Sequence, residues 1–174
     1  MTRFLILAFY LCFCSLCYAQ DMKIQDTFFG HRFGSRMYHM NDVFKSKGRL
    51  LETKEDRVIG YDLSLGGIEW KFIECEYYND QFFSIQLSIN YKTNETAQES
   101  YLFLKDKLKR RYGTPKISIR DTGEESYWSD AENSSMLYVY KGESKGGEIY
   151  YYLNLMYWNI DLSEEKYNES NSEL

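Results

Sequence analysis

The sequence predicts an α+β fold: an antiparallel sheet with two helices on one face. Three observations predict it. Apolar residues recur at helical spacing over 37–44 and 97–112 and at alternate positions over 83–91 and 149–157. Each helical stretch is followed by several strand-like segments with short links, which favours antiparallel neighbours over parallel crossovers. The order also repeats, which divides the domain into halves at about 28–92 and 93–160.

The first half opens on Phe28-Phe29-Gly30-His31-Arg32-Phe33-Gly34, read as one short strand. Ser35 is placed to cap a helix running to Lys47, with Met37, Met40 and Phe44 on one face and Gly48 as its stop. Ile59, Tyr61, Leu63 and Leu65 alternate with Gly60, Asp62 and Ser64, giving a strand that ends at Gly66-Gly67. A strand over 68–77 and turn residues Asn79-Asp80 follow. Phe83, Ile85, Leu87, Ile89 and Tyr91 then form the buried side of a strand with one polar face.

The second half starts at Thr96-Ala97-Gln98-Glu99, which matches a capping box. Ala97, Tyr101, Leu104, Leu108 and Arg111 or Tyr112 follow at helical spacing, and Gly113 and Pro115 end the helix. Strands are expected near 116–120, 125–129, 135–141 and 148–160, the last with Ile149, Tyr151, Leu153, Leu155 and Tyr157 on one face. The polar, acidic segment 163–174 reads as a frayed tail.

Ahead of this domain, residues 1–19 read as a cleavable secretory signal. Arg3 precedes a 15-residue uncharged run from Phe4 to Tyr18, and Cys17 and Ala19 supply small residues at −3 and −1. The run is shorter than the roughly 18–20 apolar residues of a membrane-spanning helix. Large residues Leu11, Phe13 and Leu16 precede the cysteines, which disfavours lipid attachment. The expectation is an exported protein, periplasmic or extracellular, with no stable membrane span after cleavage and a single domain over 20–162. Loss of Arg3 from the 21 basic residues leaves 20 against 26 acidic ones. That balance opposes nucleic acid or an anionic membrane surface as a partner. Only Cys75 remains after cleavage, so no internal disulfide can form.

Two likenesses follow from these motifs. Phe28-Phe29-Gly30-His31-Arg32-Phe33-Gly34-Ser35 before a helix, and Leu108-Lys109-Arg110-Arg111-Tyr112-Gly113-Thr114-Pro115 closing another, resemble small exported proteins of Bacteroides-type bacteria. The duplicated element order is similar to the tandem layout of β-lactamase-inhibitor-like domains. Element order implies a fold and carries no function with it.

Chemistry-bearing residues are sparse. Cys75 sits between Glu74 and Glu76, which disfavour a thiolate, so a Cys–His nucleophile with His31 or His39 is not expected. No metal-ligand spacing is present, and no cofactor or catalytic residue is expected. Asp121-Thr122-Gly123 matches an aspartic-protease tripeptide, but Glu124 breaks the pattern and no second copy exists, so it reads as a turn. Lys105, Lys107, Lys109, Arg110, Arg111 and Lys116 read as a solvated helix end, and Asp121, Glu124, Glu125, Asp130 and Glu132 as an acidic loop region.

What stands out is an aromatic content of 18%, with 17 tyrosines. A strand sends Tyr150, Tyr152 and Trp158 to the side opposite Tyr151. With Tyr138 and Tyr140 on a neighbouring strand, these five form a candidate contact patch for a protein or glycan partner; the alternative is a second core face covered by a loop or a further sheet layer. The expected function is therefore a non-enzymatic binding domain. The alternative is a hydrolase with two carboxylates on separate strands, which a deep cleft holding them about 5–10 Å apart would support.

Overall fold

The computed structural model describes residues 23–121, 123–144 and 146–172. The expected signal at 1–19 lies outside the described residues. The described chain forms ten strands and three helices and is α+β, as the sequence predicts. A small hairpin of β1 (Thr27–Phe28) and β2 (His31–Arg32) precedes α1 (Met37–Ser46). Then come β3 (Leu50–Thr53), β4 (Arg57–Leu65), β5 (Ile68–Tyr78) and β6 (Gln81–Tyr91). The second half has α2 (Asn94–Tyr112), β7 (Lys116–Arg120), β8 (Gly123–Ser129), β9 (Asn133–Glu143) and β10 (Ile149–Asn159). A third helix, α3 (Ile160–Ser172), closes the chain.

Strands β3 to β10 make one eight-stranded antiparallel sheet in the order β3-β4-β5-β6-β10-β9-β8-β7. Each half is thus a helix followed by a four-stranded meander, and the halves join through their last strands. One row of register partners crosses the whole sheet: Leu50, Gly60, Ile73, Leu87, Leu155, Leu137, Ser126 and Ile117. Cross-strand partners share a face, so this row locates the helices. Phe44 of α1 lies over Gly60, and the Tyr101 hydroxyl of α2 shares a 2.8 Å hydrogen bond with Ser126. Both helices therefore cover the same face, and the core lies between them and this row.

The helix phases match the sequence: Met40 and Phe44 are buried on α1, and Ala97, Tyr101, Leu104, Leu108 and Tyr112 on α2. The caps differ. Ser35 does not cap α1; Asp80 Oδ1, from the β5–β6 turn, accepts from Met37 N–H at 3.1 Å. In α2 the cap is Thr93, whose Oγ1 accepts from Thr96 N–H, so the expected box begins three residues late. The single strand expected at 28–34 is a hairpin instead, turning at Phe29 and Gly30 with φ of 51° and 86°.

Strand β4 also departs from simple alternation. Val58 and Gly60 are buried, then Leu63, so Ile59 and Tyr61 lie on the other face. Strand β5 switches at the same level, from Trp70 to Ile73. The hinge residues Asp62 and Lys71 form a 2.7 Å ion pair, and Asp62 takes φ of 47°. In β6 a register shift opposite Glu76/Tyr77 brings Phe82 into the main core cluster, while Phe83, buried as expected, stays outside that cluster. The tail expected to fray is mostly α3: Asn159 Oδ1 accepts from Leu162 N–H at 3.1 Å, and Lys166 lies 4.8 Å from the Phe83 ring.

Candidate binding face

The sheet face away from α1 and α2 is laid out by the two rows beside the core row. One contains Ile59, Glu74, Gln86, Met156, Met136, Tyr127 and Lys116. The other contains Tyr61, Phe72, Ser88, Asn154, Tyr138, Glu125 and Ser118. The first half contributes Glu74, Gln86 and Ser88 together with Ile59, Tyr61 and Phe72, and the second half contributes Tyr127, Tyr138, Met136 and Met156.

At the centre is a polar spine. Asn154 is fully buried although it sits opposite the core row. Its Oδ1 accepts from Ser88 Oγ at 2.5 Å and from Gln86 Nε2 at 3.1 Å, and its Nδ2 donates to Tyr152 O at 3.3 Å. A buried amide is tolerated when it is bonded in this way.

On the second-half side of the spine lies the tyrosine group. Tyr140 and Tyr152 stack with centroids 4.9 Å apart, and Tyr138 and Tyr150 each lie 6.3 Å from one member of that pair. Gly142 makes room: a Cβ there would stand 2.9 Å from the Tyr152 ring and 3.2 Å from Tyr140. All four tyrosines are half-buried. Burial pushes the Tyr138 and Tyr140 hydroxyls above their ordinary pKa, with a smaller contribution from a neighbouring tyrosine in each case.

Two charged features rim the group. Lys92 Nζ donates to Tyr150 Oη at 2.9 Å, and Tyr150 in turn donates to Glu148 at 2.5 Å. That hydrogen bond from Tyr150, together with Lys92, holds the Glu148 carboxyl below its usual range. On the other side an open depression of about 460 Å³ is lined by Arg120, Asp121, Glu125, Met136, Tyr138 and Tyr140. Glu125 is buried there and paired with Arg120 at 2.8 Å.

The structure thus brings together four of the five candidates, Tyr138, Tyr140, Tyr150 and Tyr152. Trp158 stands apart, half-buried beside Tyr127 at 5.9 Å. Sequence reasoning missed Tyr127, Met136, Arg120 and Glu125. Alternation along β8 was a usable signal for two of them, since Glu125 and Tyr127 share a parity.

The remaining candidates fall elsewhere. Cys75 is fully buried, and burial, reinforced by Glu74, raises its thiol pKa well above the ordinary value. His31 and His39 stack on each other at 5.0 Å. Asp121 lies in the turn between β7 and β8, while Thr122 is outside the described residues. Lys105 is not a solvated cation: it pairs with Glu124, which also accepts from Tyr101 Oη at 2.8 Å. The acidic residues do not share a loop either. Glu124 and Glu125 point from β8 to opposite faces, and Asp130 organises a turn by accepting from Glu132 and Asn133 N–H. Among the described residues no group of three His, Cys, Asp or Glu is placed to hold a metal. Nor is any helix among them long and apolar enough to cross a membrane.

Comparison of the chain with family models, with curated proteins and with solved structures gives no match in any of the three. The likenesses drawn from short motifs and element order therefore bring no function to this chain.

Proposed function

We propose that this chain is an exported, non-enzymatic binding module that contacts a protein partner through the aromatic half of the open sheet face. The observation that supports this reading most is the composition of that face. Tyrosines and methionines occupy its middle, and Arg120, Glu125, Lys92 and Glu148 its rim. Protein interfaces are enriched in Tyr, Trp, Met and Arg at their cores and polar at their rims.

A hydrolytic reading has less support. The depression that contains two carboxylates is open, and Arg120 holds Glu125 in an ion pair.

The test is affinity. A partner isolated with the wild-type protein and purified should bind the Tyr140→Ala/Tyr152→Ala variant about 30-fold or more weakly, equivalent to about 2 kcal/mol. Unchanged affinity in a folded variant would remove the aromatic face as the contact surface. If an oligosaccharide rather than a protein showed this dependence, the partner class would be a glycan and the protein reading would fail.

A further inference from the structure

A second concavity lies on the helix-covered face, and nothing in the proposed binding function uses it. It arises from the duplication. Helix α1 packs on β3 and β4, and α2 on β6, β9 and β10, which leaves a seam between them over β5. One end of the seam is filled by the N-terminal segment, where the Phe28 ring meets Phe82 and Tyr157 at 6.2 and 5.1 Å. Beside this filling, between Gln25 and Tyr157 and the β4–β5 hairpin, lies an open cleft of about 320 Å³, within the range of small-molecule sites, about 300–1,000 Å³.

The cleft walls are mostly apolar, with Gln25 of the N-terminal segment as an uncharged polar member of the lining. Leu65, Ile68 and Trp70 come from the β4–β5 hairpin, Leu87 and Leu155 from the sheet, and Leu104 from α2. The polar atom of Trp70 is already used, because its indole N–H donates to Leu65 O at 3.2 Å. Positive charge stands on the α2 side, where Lys107 and Arg111 line the same cleft. Their heads lie over rings, Lys107 at 4.6 Å from Phe103 and Arg111 at 5.2 Å from Tyr112. Two other cations of α2 have carboxylates, Lys105 with Glu124 and Arg110 with Asp106. Among the described residues, Lys107 and Arg111 have none within ion-pair distance. Two unpaired cations beside an apolar cleft, in a chain of net charge −5, form a local exception to the protein's sign.

The geometry points to a binding site for an amphiphilic carboxylate of the medium-chain fatty-acid class. The acyl chain lies along Leu65, Ile68, Leu87 and Leu155, displacing water from apolar walls. The carboxylate meets Lys107 and Arg111, whose charge-assisted hydrogen bonds select an anion over a neutral head group. Trp70, in the wall, reports occupancy.

The experiment is calorimetric titration of the full domain with decanoate, followed in parallel by tryptophan fluorescence. One saturable site is expected. Lys107→Gln/Arg111→Gln should weaken it at least about tenfold, a difference of about 1.4 kcal/mol, with the thermal unfolding midpoint unchanged. Decanol should bind the wild type more weakly than decanoate by a similar factor. Tyr140→Ala/Tyr152→Ala, on the opposite face, should bind decanoate as the wild type does, so this result is independent of the partner assay. Absence of saturable decanoate binding by folded wild-type protein would overturn the assignment. So would decanol binding as tightly as decanoate, or a charge-neutralised variant that binds as tightly as the wild type.

Discussion

Tyr140 and Tyr152 are direct register partners on β9 and β10, and their rings lie 4.9 Å apart with planes 13° from parallel. They are on different strands but function as one slab, because the absence of a side chain at Gly142 leaves room for both rings. Rings held against each other lose little further conformational freedom when a partner docks, so the face is partly preorganised. The Asn154–Ser88 and Asn154–Gln86 bonds beside the slab tie β6 to β10. The duplication joins its two halves at this pair of strands.

Leu104 faces the sheet and is 4% exposed, while Lys109, five residues on, is in solvent. Leu104→Ala should cost about 2–5 kcal/mol, because the close-packed surroundings collapse only partly into the cavity. Lys109→Ala should change stability by no more than about 0.5 kcal/mol. Urea unfolding of both variants measures this, and equal effects would mean that α2 is rotated about its axis.

Gly60 is a close-approach position between α1 and the sheet. A Cβ there would stand 2.7 Å from the fully buried Phe44 ring and 3.0 Å from Leu63. Gly60→Ala should therefore destabilise the fold by about 1–3 kcal/mol through overpacking, although glycine-to-alanine changes in strands usually help. Phe44→Leu in the same background should recover part of the loss by making room for the methyl group. A Gly60→Ala protein as stable as the wild type would place Phe44 elsewhere.

Glu124 gives stability a pH dependence. Its hydrogen bond from Lys105, then that from Tyr101, holds the carboxyl below its ordinary value of 4.5. The unfolded chain regains the ordinary value and binds more protons in that window, so the contribution is fully present above 4.5 and is lost as pH falls through the lower native value. Lys105→Met should flatten this part of the profile. Denaturant midpoints measured from about pH 6 to about pH 3 should fall more steeply for the wild type than for the variant. Parallel profiles would show that the pair contributes nothing.

The helix phases were legible because one period decided them: Ala97, Tyr101, Leu104, Leu108 and Tyr112 recur on one stripe, and the stripe is what α2 buries. Other features depend on neighbours that are distant in sequence. The cap of α1 is Asp80, 43 residues from Met37 in sequence, so the local Ser35 was misleading. Simple alternation failed in β4 because the paired hinge at Asp62 and Lys71 reverses the buried parity of two strands together. Helix α3 has a polar sequence with a weak apolar stripe, and its start depends on Asn159 at the end of β10. At the candidate site, parity along β10 sent Tyr150 and Tyr152 to one side. Only the β9–β10 register places Tyr140 opposite Tyr152, and only the β8–β9 register adds Glu125 beside Tyr138.

The contact surface itself is tested most directly by hydroxyl-radical footprinting of the protein alone and with its purified partner. In the free protein, Tyr138, Tyr140, Tyr150 and Tyr152 should oxidise at rates between those of buried Tyr157 and exposed Tyr167. In the complex their rates should fall together with those of Met136 and Met156, while Leu102 and Phe103 on the outer side of α2 keep theirs. Unchanged oxidation of the four tyrosines on binding, or protection centred on α2, would contradict the proposal that this sheet face meets the partner.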